Sequence, residues 1–451
     1  MKHIVINQIV RAGSTSLKEI ELGGKVLSTI RTLPKLQKKS DLELFFGRTS
    51  SETRFEGVAL DLWSLNDLSK SLFIGDGQRR LDNNEIAITR EKALMDEKAI
   101  IIDPNSEEYC HPLLHHVEKN GEKVTRLDFI FLLSKFPTQV KEIFKTRKHD
   151  DAWHELESRK LLLLYIDWYV RYCLKYGGSV ILPPAPLVDG RRQSMLDTLT
   201  NVNLACHKIT VETTEAYPAT YIPIESTAFQ SDKPPQRIAD TIADLLQPHS
   251  ILVLKFYRTE DMLSDPMARR RLREFLIAVD TLEREHHDRV AVMVLDTRTE
   301  GLAYFGSGVD ITCDPLGGVQ DRPKFRKRKK DDTETDDEEE NFGRYGKWYH
   351  PELREYLKLD QVKSMLGEDG NLPHHCRFCD SIGESLTKEI DDPLFPTADQ
   401  WNTGRRIHNF ICRQEEDEAI RDSVQIGERR AVELFLSRGT RANKNLLDIL
   451  P

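Results

Sequence analysis

Short, nearly continuous apolar runs alternate with amphipathic stretches through the middle of the chain. Runs without polar alternation are typical of strands covered on both faces, as in a parallel sheet. The stretches between them carry apolar residues at spacings of three and four, which indicates helices. The predicted strands are 99–103, 179–183, 220–224, 251–256, 290–295 and 308–312, and the predicted helices are 128–136, 155–176, 236–246 and 266–285.

Six consecutive strands with helices between them favour an α/β fold of the TIM type, a (β/α)8 barrel. The competing architecture, a doubly wound open sheet, usually carries a glycine-rich phosphate-binding turn after its first strand. No G-x-G-x-x-G sequence occurs, and Gly75-Asp76-Gly77 does not open a helix. The pattern therefore predicts a barrel over residues 98–323. Residues 1–97 have no clear period and form a divergent N-terminal region, either separate from the barrel or part of it.

Residues 324–340 read KFRKRKKDDTETDDEEE, a basic block followed by an acidic one. Such a segment has too few apolar residues to order itself, which predicts a flexible, solvated loop. The other interpretation is a nucleic-acid contact made by its basic half. Residues 341–451 are then expected to form a C-terminal subdomain with helices.

A zinc-type pattern lies in this C-terminal part. His374, Cys376 and Cys379 form an H-x-C-x-x-C sequence, and His408 follows on a predicted helix. Thiolates two residues apart can face one ion from a tight turn, and a distant histidine completes a tetrahedron. Four protein ligands predict a structural zinc, since a catalytic zinc keeps a position open for water. Chance clustering is the alternative interpretation, and the substitute ligands are His375 and Cys412.

Composition narrows the class of protein. Apolar residues make up 39% of the chain and charged residues 31%, as in ordinary globular proteins, and no apolar run reaches the length of about 20 residues that spans a bilayer. The seven cysteines are spread thinly, which favours reduced thiols or a metal site over a disulfide framework. The N-terminus has no secretory pattern, so we expect a cytoplasmic protein without membrane contact. The net charge of −9 leaves the partner class open.

The strand order, the sequence GVDITCD at 308–314 and the zinc-type pattern ending in Ile407-His408-Asn409-Phe410 resemble the tRNA-guanine transglycosylase superfamily over residues 98–424. The resemblance implies a TIM barrel with a C-terminal zinc subdomain. It also implies a reaction in which an aspartate of the last strand attacks the anomeric carbon of a nucleoside, ejects guanine, and lets a 7-deazaguanine replace it. Two positions depart from the family: His374 stands where it has a cysteine, and ILVLKFYR replaces its Gly-Gly strand.

The resemblance implies roles for five acidic residues. Asp314 is the preferred nucleophile, with an offset of one residue from the family pattern, and Asp310 is the alternative. Asp103 corresponds to a base-binding or general acid/base residue. Asp189 and Glu225 follow the next two strands, where carboxylates can accept hydrogen bonds from the N–H groups of a guanine edge.

The expected partners are a nucleic acid and a 7-deazaguanine base. Arg191 and Arg192 lie in a loop at the reactive end of the barrel, where they can contact phosphates. DNA is favoured over tRNA because the N-terminal region is divergent and the chain has no room for a further RNA-binding domain. A helper protein that opens the strands is a further expectation. The alternatives are an inactive barrel that binds nucleic acid or a partner subunit, and a metal-dependent hydrolase, for which no H-x-H pair is found.

Overall fold

The computed structural model describes residues 4–36, 55–62, 98–105, 116–119, 122–125, 134–147, 149–190, 194–298, 300–315, 348–357, 361, 364, 398–438 and 446–451. In chain order the strands within these residues are β1 (Val5–Ala12), β2 (Thr15–Leu22), β3 (Lys25–Ser28), β4 (Arg31–Leu36), β5 (Gly57–Asp61), β6 (Ala99–Asp103), β7 (His116–Lys119), β8 (Glu122–Thr125), β9 (Val180–Ile181), β10 (Tyr217–Pro218), β11 (Thr220–Glu225), β12 (Ser250–Tyr257), β13 (Val290–Leu295), β14 (Ile311–Pro315), β15 (Trp348–His350) and β16 (Glu355–Leu357).

The main sheet is parallel and curves into a nearly closed barrel. Within the described residues its nine strands follow the order β10-β9-β6-β5-β4-β14-β13-β12-β11. The two edge strands, β10 and β11, are separated in the chain only by Ala219, whose N–H donates to the carbonyl of Ile181 at 3.0 Å. We count β10 and β11 as one interrupted strand and call each strand position of the barrel a stave. The nine strands then make eight staves, which is the number of strands in a TIM barrel.

The helices that the structure describes surround the barrel. They are α1 (Thr138–Thr146), α2 (His149–Ser158), α3 (Leu162–Lys175), α4 (Ser194–Thr213), α5 (Lys233–Leu245), α6 (Thr259–Ser264), α7 (Pro266–Glu285), α8 (Glu300–Phe305), α9 (Ala398–Gln425) and α10 (Ala431–Ser437), with a 3-10 turn at Ser226–Gln230. The start of α7 is fixed by its sequence: Pro266 occupies the first turn, and the Asp265 side chain accepts from the Met267 N–H at 2.9 Å. None of the helices in the described part of the chain is long and apolar enough to cross a membrane.

Among the described residues there are three smaller sheets: the β7–β8 hairpin and two that extend the barrel. Strands β1, β2 and β3 form an antiparallel sheet whose Thr29 leads directly into β4. The β15–β16 hairpin packs against α9, which also contacts β4. The apolar core accordingly has two layers, one inside the barrel and one between the sheet and its helices.

The predicted elements agree with the structure where their hydrophobic pattern was strong. Strands 99–103 and 290–295 and helix 266–285 match residue for residue. The predicted helix 155–176 is wrong as a single element. It divides after Ser158, because Lys160 takes a left-handed backbone with φ 57° and the Leu161 N–H closes back onto the Leu156 carbonyl. Most of the predicted helix 128–136 lies outside the described residues.

The barrel begins earlier in the chain than residue 98. Strands β4 and β5 are its first two staves, so part of the 1–97 region belongs to it. The last strand starts at Ile311, three residues later than predicted, because Gly308 has φ 90° and makes the turn that enters it. A Cβ at this glycine would lie 2.9 Å from the Asp280 side chain, so no other residue fits there without displacement.

Candidate active site

Charged side chains from three separate staves meet inside the barrel at its C-terminal end, which we call the mouth. Lys35 comes from β4, Asp103 ends β6 and Lys255 comes from β12. Both lysines contact Asp103, and strands this far apart in the sheet order can meet only through the lumen. A fourth member, Asp296, is the first residue after β13. We call these four residues the lumen quartet.

The quartet is a closed square of alternating charge. Lys35 Nζ lies 2.6 Å from Asp103 Oδ2 and 2.6 Å from Asp296 Oδ1. Lys255 Nζ lies 2.9 Å from Asp103 Oδ2 and 2.9 Å from Asp296 Oδ2. Asn105 also accepts a hydrogen bond from Lys255, and its backbone N–H donates to Asp103 Oδ1 at 3.2 Å. Each charge therefore has two partners of opposite sign.

The quartet is removed from solvent and electrically balanced. The side chains of Lys35, Lys255 and Asp103 are 0% exposed and that of Asp296 is 1% exposed. Burial alone would raise the pKa of Asp103, but attraction by Lys255 and Lys35 outweighs it and holds that pKa well below its usual range. The carboxyl is thus ionised at neutral pH, so it is suited to accept hydrogen bonds or attack an electrophile and not to donate a proton.

Asp296 is held in an uncommon backbone conformation. Its φ is 57°, in the left-handed region, although its side chain is buried in the quartet. A non-glycine residue in this region costs of order 1 kcal/mol or more, and such strain is concentrated at functional sites. The turn brings both carboxylate oxygens onto the two lysines. Continued strand geometry would have sent the side chain to the helix-covered face, because Leu295 already shares the lumen face with its register partner Lys255.

Further polar groups complete the rim of the mouth. Asp61 ends β5 and pairs in register with Asp103, so it faces the lumen. Glu225 ends β11, pairs in register with Tyr257 and accepts from the Thr227 hydroxyl at 2.7 Å. Asp189 lies beside this stave end, since the preceding residue, Val188, accepts from the Glu225 N–H at 2.8 Å. Of the sequence-predicted residues, Asp103, Asp189 and Glu225 therefore come together at one end of the barrel.

Asp314 lies at the same end but on the other face of the sheet. Cys313 pairs with Leu33 on the lumen face that Lys35 shares, so the next residue, Asp314, points to the helix side. There its Oδ2 accepts from the Tyr356 hydroxyl at 2.9 Å and lies 4.0 Å from Arg413 Nε on α9. Burial raises the pKa of Asp314 to about 7, although Arg413 opposes the shift. The preferred nucleophile of the sequence analysis is thus separated from the lumen quartet by the sheet itself.

Asp310 lies at the opposite, N-terminal end of the barrel. Its carboxylate accepts from Lys18 Nζ at 2.9 Å, from the Ser16 hydroxyl at 3.2 Å and from the Val292 N–H at 2.8 Å. Lys18 also donates to Glu283 at 2.6 Å. Burial raises the pKa of Asp310 against the attraction of Lys18. These contacts fasten the β1–β3 sheet to the barrel, so the structure does not bring Asp310 to the mouth.

The structure describes one of the four predicted zinc ligands. His408, on α9, is fully buried and stacks on Trp348 with centroids 4.2 Å apart. Its Nε2 lies 2.7 Å from the Tyr349 carbonyl, which can only accept, so Nε2 carries the proton and Nδ1 has the lone pair. A carbonyl holding the second nitrogen is the usual support of a metal-binding histidine. His408 therefore fits a zinc site.

The remaining predicted ligands, His374, Cys376 and Cys379, lie outside the described residues, as do Arg191 and Arg192. Within the part of the chain that the structure describes, no group of three or more histidine, cysteine or acidic side chains could hold a metal ion. Of the predicted ligands and their substitutes, the described residues contain His408 and Cys412, whose Sγ is buried and lies 3.7 Å from His408 Nδ1, while His375 lies outside them.

Sequence reasoning did not identify Lys35, Lys255 or Asp296 as site residues. The available signal was a lysine inside an otherwise apolar strand, as in TLPKL and ILVLKFY, because an unpaired ammonium is costly to bury. Asp296 carried the same signal as Asp103, an aspartate at the end of a buried apolar run. What the sequence could not supply is that all four meet across the barrel.

Comparison with known proteins adds no family assignment. No protein-family model matches the chain, and no curated protein matches it either.

Proposed function

We propose that the protein is a transglycosylase that exchanges guanine for a 7-deazaguanine base in a nucleic acid, with its active site at the barrel mouth. The observation that carries the proposal is the lumen quartet, in which two lysines form ion pairs with two carboxylates at converging strand ends. Ionised carboxylates at this end of a parallel barrel suit covalent attack on a sugar. The resemblance to the tRNA-guanine transglycosylase superfamily supplies the substrate class.

In this proposal Asp296 is the nucleophile and Asp103 a base-binding or electrostatic partner. The strained backbone and the two lysine contacts of Asp296 favour it over Asp314, which lies on the helix side of the sheet, and over Asp310, which lies at the other end of the barrel. A carboxylate oxygen of Asp296 attacks the anomeric carbon, and the bond to guanine breaks with its electron pair going to the base. The departing guanine gains a proton and the incoming 7-deazaguanine loses one as its nitrogen displaces the carboxylate, so the exchange is proton-neutral.

The lysines have a defined part in this chemistry. The sugar becomes positively charged in the transition state, and negative groups at the rim, Asp61 and Glu225, stabilise such charge. Lys35 and Lys255 keep the pKa of Asp103 low, so this carboxylate does not take up a proton in its buried position, and the same two lysines lie against the oxygens of Asp296. DNA is the favoured polymer over tRNA. Either polymer would present the base extruded from its stack, which costs a few kcal/mol in a duplex and is easier with a helper protein that opens the strands.

The zinc is structural in the proposal. It would be held by His408 together with His374, Cys376 and Cys379, and it would stabilise the C-terminal segment without touching the substrate.

The test is base release combined with trapping of the covalent intermediate. Purified protein is incubated with guanine-labelled single-stranded DNA, duplex DNA and tRNA, with and without 7-deazaguanine, and the protein is analysed by denaturing mass spectrometry. We expect release of guanine and a nucleic-acid adduct that disappears in Asp296→Asn. The matched control is Asp310→Asn, a buried aspartate at the other end of the barrel, which should keep the adduct.

Two outcomes would change the assignment. Loss of the adduct in Asp314→Asn with its retention in Asp296→Asn would move the nucleophile to the helix-covered face. Absence of guanine release from all three substrates, with a folded protein, would refute the proposal.

One observation favours a second candidate, a catalytically inactive barrel that binds nucleic acid or a partner subunit. The charges of the quartet are paired with one another: Asp103 accepts from both lysines, and Asp296 accepts from Lys35 and lies 2.9 Å from Lys255 Nζ, as in a purely structural ion cluster. This candidate predicts nucleic-acid binding in a fluorescence anisotropy titration with no guanine release, and with unchanged affinity in Asp296→Asn.

A further inference from the structure

Tyr257 stands at the mouth directly beside the lumen quartet. It is the last residue of β12 and shares the lumen face with Lys255, two residues earlier. The Lys255 Nζ lies 4.9 Å from the centre of the tyrosine ring, a cation–π contact that places the ring inside the barrel mouth. Tyr257 is fully buried.

The hydroxyl of Tyr257 has no hydrogen-bond partner in the part of the chain that the structure describes. Buried hydroxyl groups nearly always have one, because leaving such a group unsatisfied is costly. Burial and the contact with the Lys255 ammonium explain why an aromatic ring occupies this position. The hydroxyl is the part whose presence packing does not explain, and phenylalanine would fill the same volume.

Glu225 is the register partner of Tyr257 on the neighbouring stave, so the two side chains leave the sheet next to each other. One of its oxygens, Oε2, accepts from Thr227 at 2.7 Å. The other, Oε1, forms an ion pair with Arg258, whose Nη1 is 3.6 Å away, and accepts no hydrogen bond at that distance. A hydroxyl donor and a carboxylate acceptor are therefore adjacent at the mouth.

We propose that Tyr257 is a specificity-determining residue that, with Glu225, selects guanine-type bases over adenine-type bases. This inference rests on the proposed function. Guanine and 7-deazaguanine present a carbonyl acceptor beside two N–H donors, which match the tyrosine hydroxyl and the carboxylate. Adenine presents an amino donor to the hydroxyl and a bare ring nitrogen to the carboxylate, so both contacts become unfavourable.

The test measures binding of free bases to the full-length protein, so it does not require turnover. Isothermal titration compares 7-deazaguanine, 7-deazahypoxanthine and 7-deazaadenine, which share one ring system and differ in their edges. For the wild type we expect 7-deazaguanine to bind at least about tenfold more tightly than 7-deazaadenine. Tyr257→Phe should weaken 7-deazaguanine and 7-deazahypoxanthine equally, by about tenfold, because both keep the carbonyl. Glu225→Gln should reduce the preference for 7-deazaguanine over 7-deazahypoxanthine, which lacks the amino group.

A stability readout separates this role from a structural one. If the hydroxyl serves only a ligand, Tyr257→Phe should melt no lower than the wild type, because it removes an unsatisfied buried group. The matched control is Tyr304→Phe on α8. Tyr304 is also buried, its hydroxyl also lacks a partner among the described residues, and its ring packs 5.7 Å from Phe256 on the helix side of the sheet. This control should leave base binding unchanged.

Wild-type affinity for 7-deazaguanine in Tyr257→Phe would overturn the inference, as would an equal loss in Tyr304→Phe. If the wild type exchanges bases in nucleic acid while Tyr257→Phe and Glu225→Gln keep its selectivity, only this inference fails. If the wild type binds none of the three bases and releases no guanine, the proposed function fails with it.

Discussion

Replacing Lys255 by methionine tests whether the lumen quartet is held together by its charge balance. The lysine ammonium lies 2.9 Å from one oxygen of Asp103 and 2.9 Å from one oxygen of Asp296, and all three side chains are at most 1% exposed. Methionine fills much of the same volume but leaves two buried carboxylates sharing one lysine. Breaking a buried pair in this way costs about 3–5 kcal/mol, since an uncompensated charge remains.

The assay is urea unfolding followed by circular dichroism at pH 7.5. With an m-value of about 3 kcal/mol/M, a loss of about 3–5 kcal/mol lowers the unfolding midpoint by roughly 1–1.7 M. Lys145→Met is the matched control, because its ammonium is 3.6 Å from Glu142 and its side chain is 44% exposed. An exposed pair of this kind should change the unfolding free energy by less than about 0.5 kcal/mol.

The pH dependence of stability gives an independent check that Lys255 stabilises the folded protein through its charge. In the wild type the pKa of Asp103 is held below its usual range, so the stabilisation by the quartet is present above about pH 4 and is lost as the pH falls through the folded-state pKa. In Lys255→Met one carboxylate loses its partner and its pKa rises, so the variant loses stability as the pH rises. The gap between the two proteins should therefore be larger at pH 8 than at pH 5.

Two results would refute this reasoning. One is a loss below about 1 kcal/mol, which would mean that the quartet is not electrostatically coupled. The other is a gap that does not change between pH 5 and pH 8. The double variant Lys255→Met, Asp296→Asn removes one charge of each sign and should recover at least half of the lost stability, because the remaining Lys35 and Asp103 balance each other.

The remaining predictions concern the other buried groups. Burial raises the pKa of Asp314 to about 7, so the folded state loses stability as the pH rises from about 4 through 7. Asp314→Asn should remove that loss. The variant should therefore melt at a higher temperature than the wild type at pH 8 but not at pH 5. Plasma mass spectrometry should find one zinc ion per chain, lost in Cys376→Ser and Cys379→Ser, and full zinc content in both variants would rule out this site. Lys18→Met should cost about 3 kcal/mol by leaving Asp310 buried without its lysine, yet leave base binding at the mouth unchanged in the same titration; a large loss of binding would show that the two ends of the barrel are coupled.

The amino-acid sequence by itself determined the strand and helix pattern of the middle of the chain. Strands 99–103 and 290–295 could be predicted to the residue because each is a short apolar run with clear boundaries, and helix 266–285 because its apolar residues recur at spacings of three and four. Strand β4, RTLPKL, was not identified, since a proline and a charged residue interrupt its apolar pattern. Lys35 is accommodated in this strand because Asp103 and Asp296 accept its hydrogen bonds from across the lumen.

The candidate site was decided by tertiary structure. Sequence reasoning placed Asp103 and Glu225 correctly at strand ends, because parallel strands present their carboxyl ends together. It could not determine which residues of the last strand face the lumen. Successive residues of a strand point to opposite faces, so Asp314 points to the helix side of the sheet and not into the lumen. The pairing of Lys35 and Lys255 with two aspartates depends on closure of the barrel, since these residues are distant in sequence and no local pattern records which of them meet.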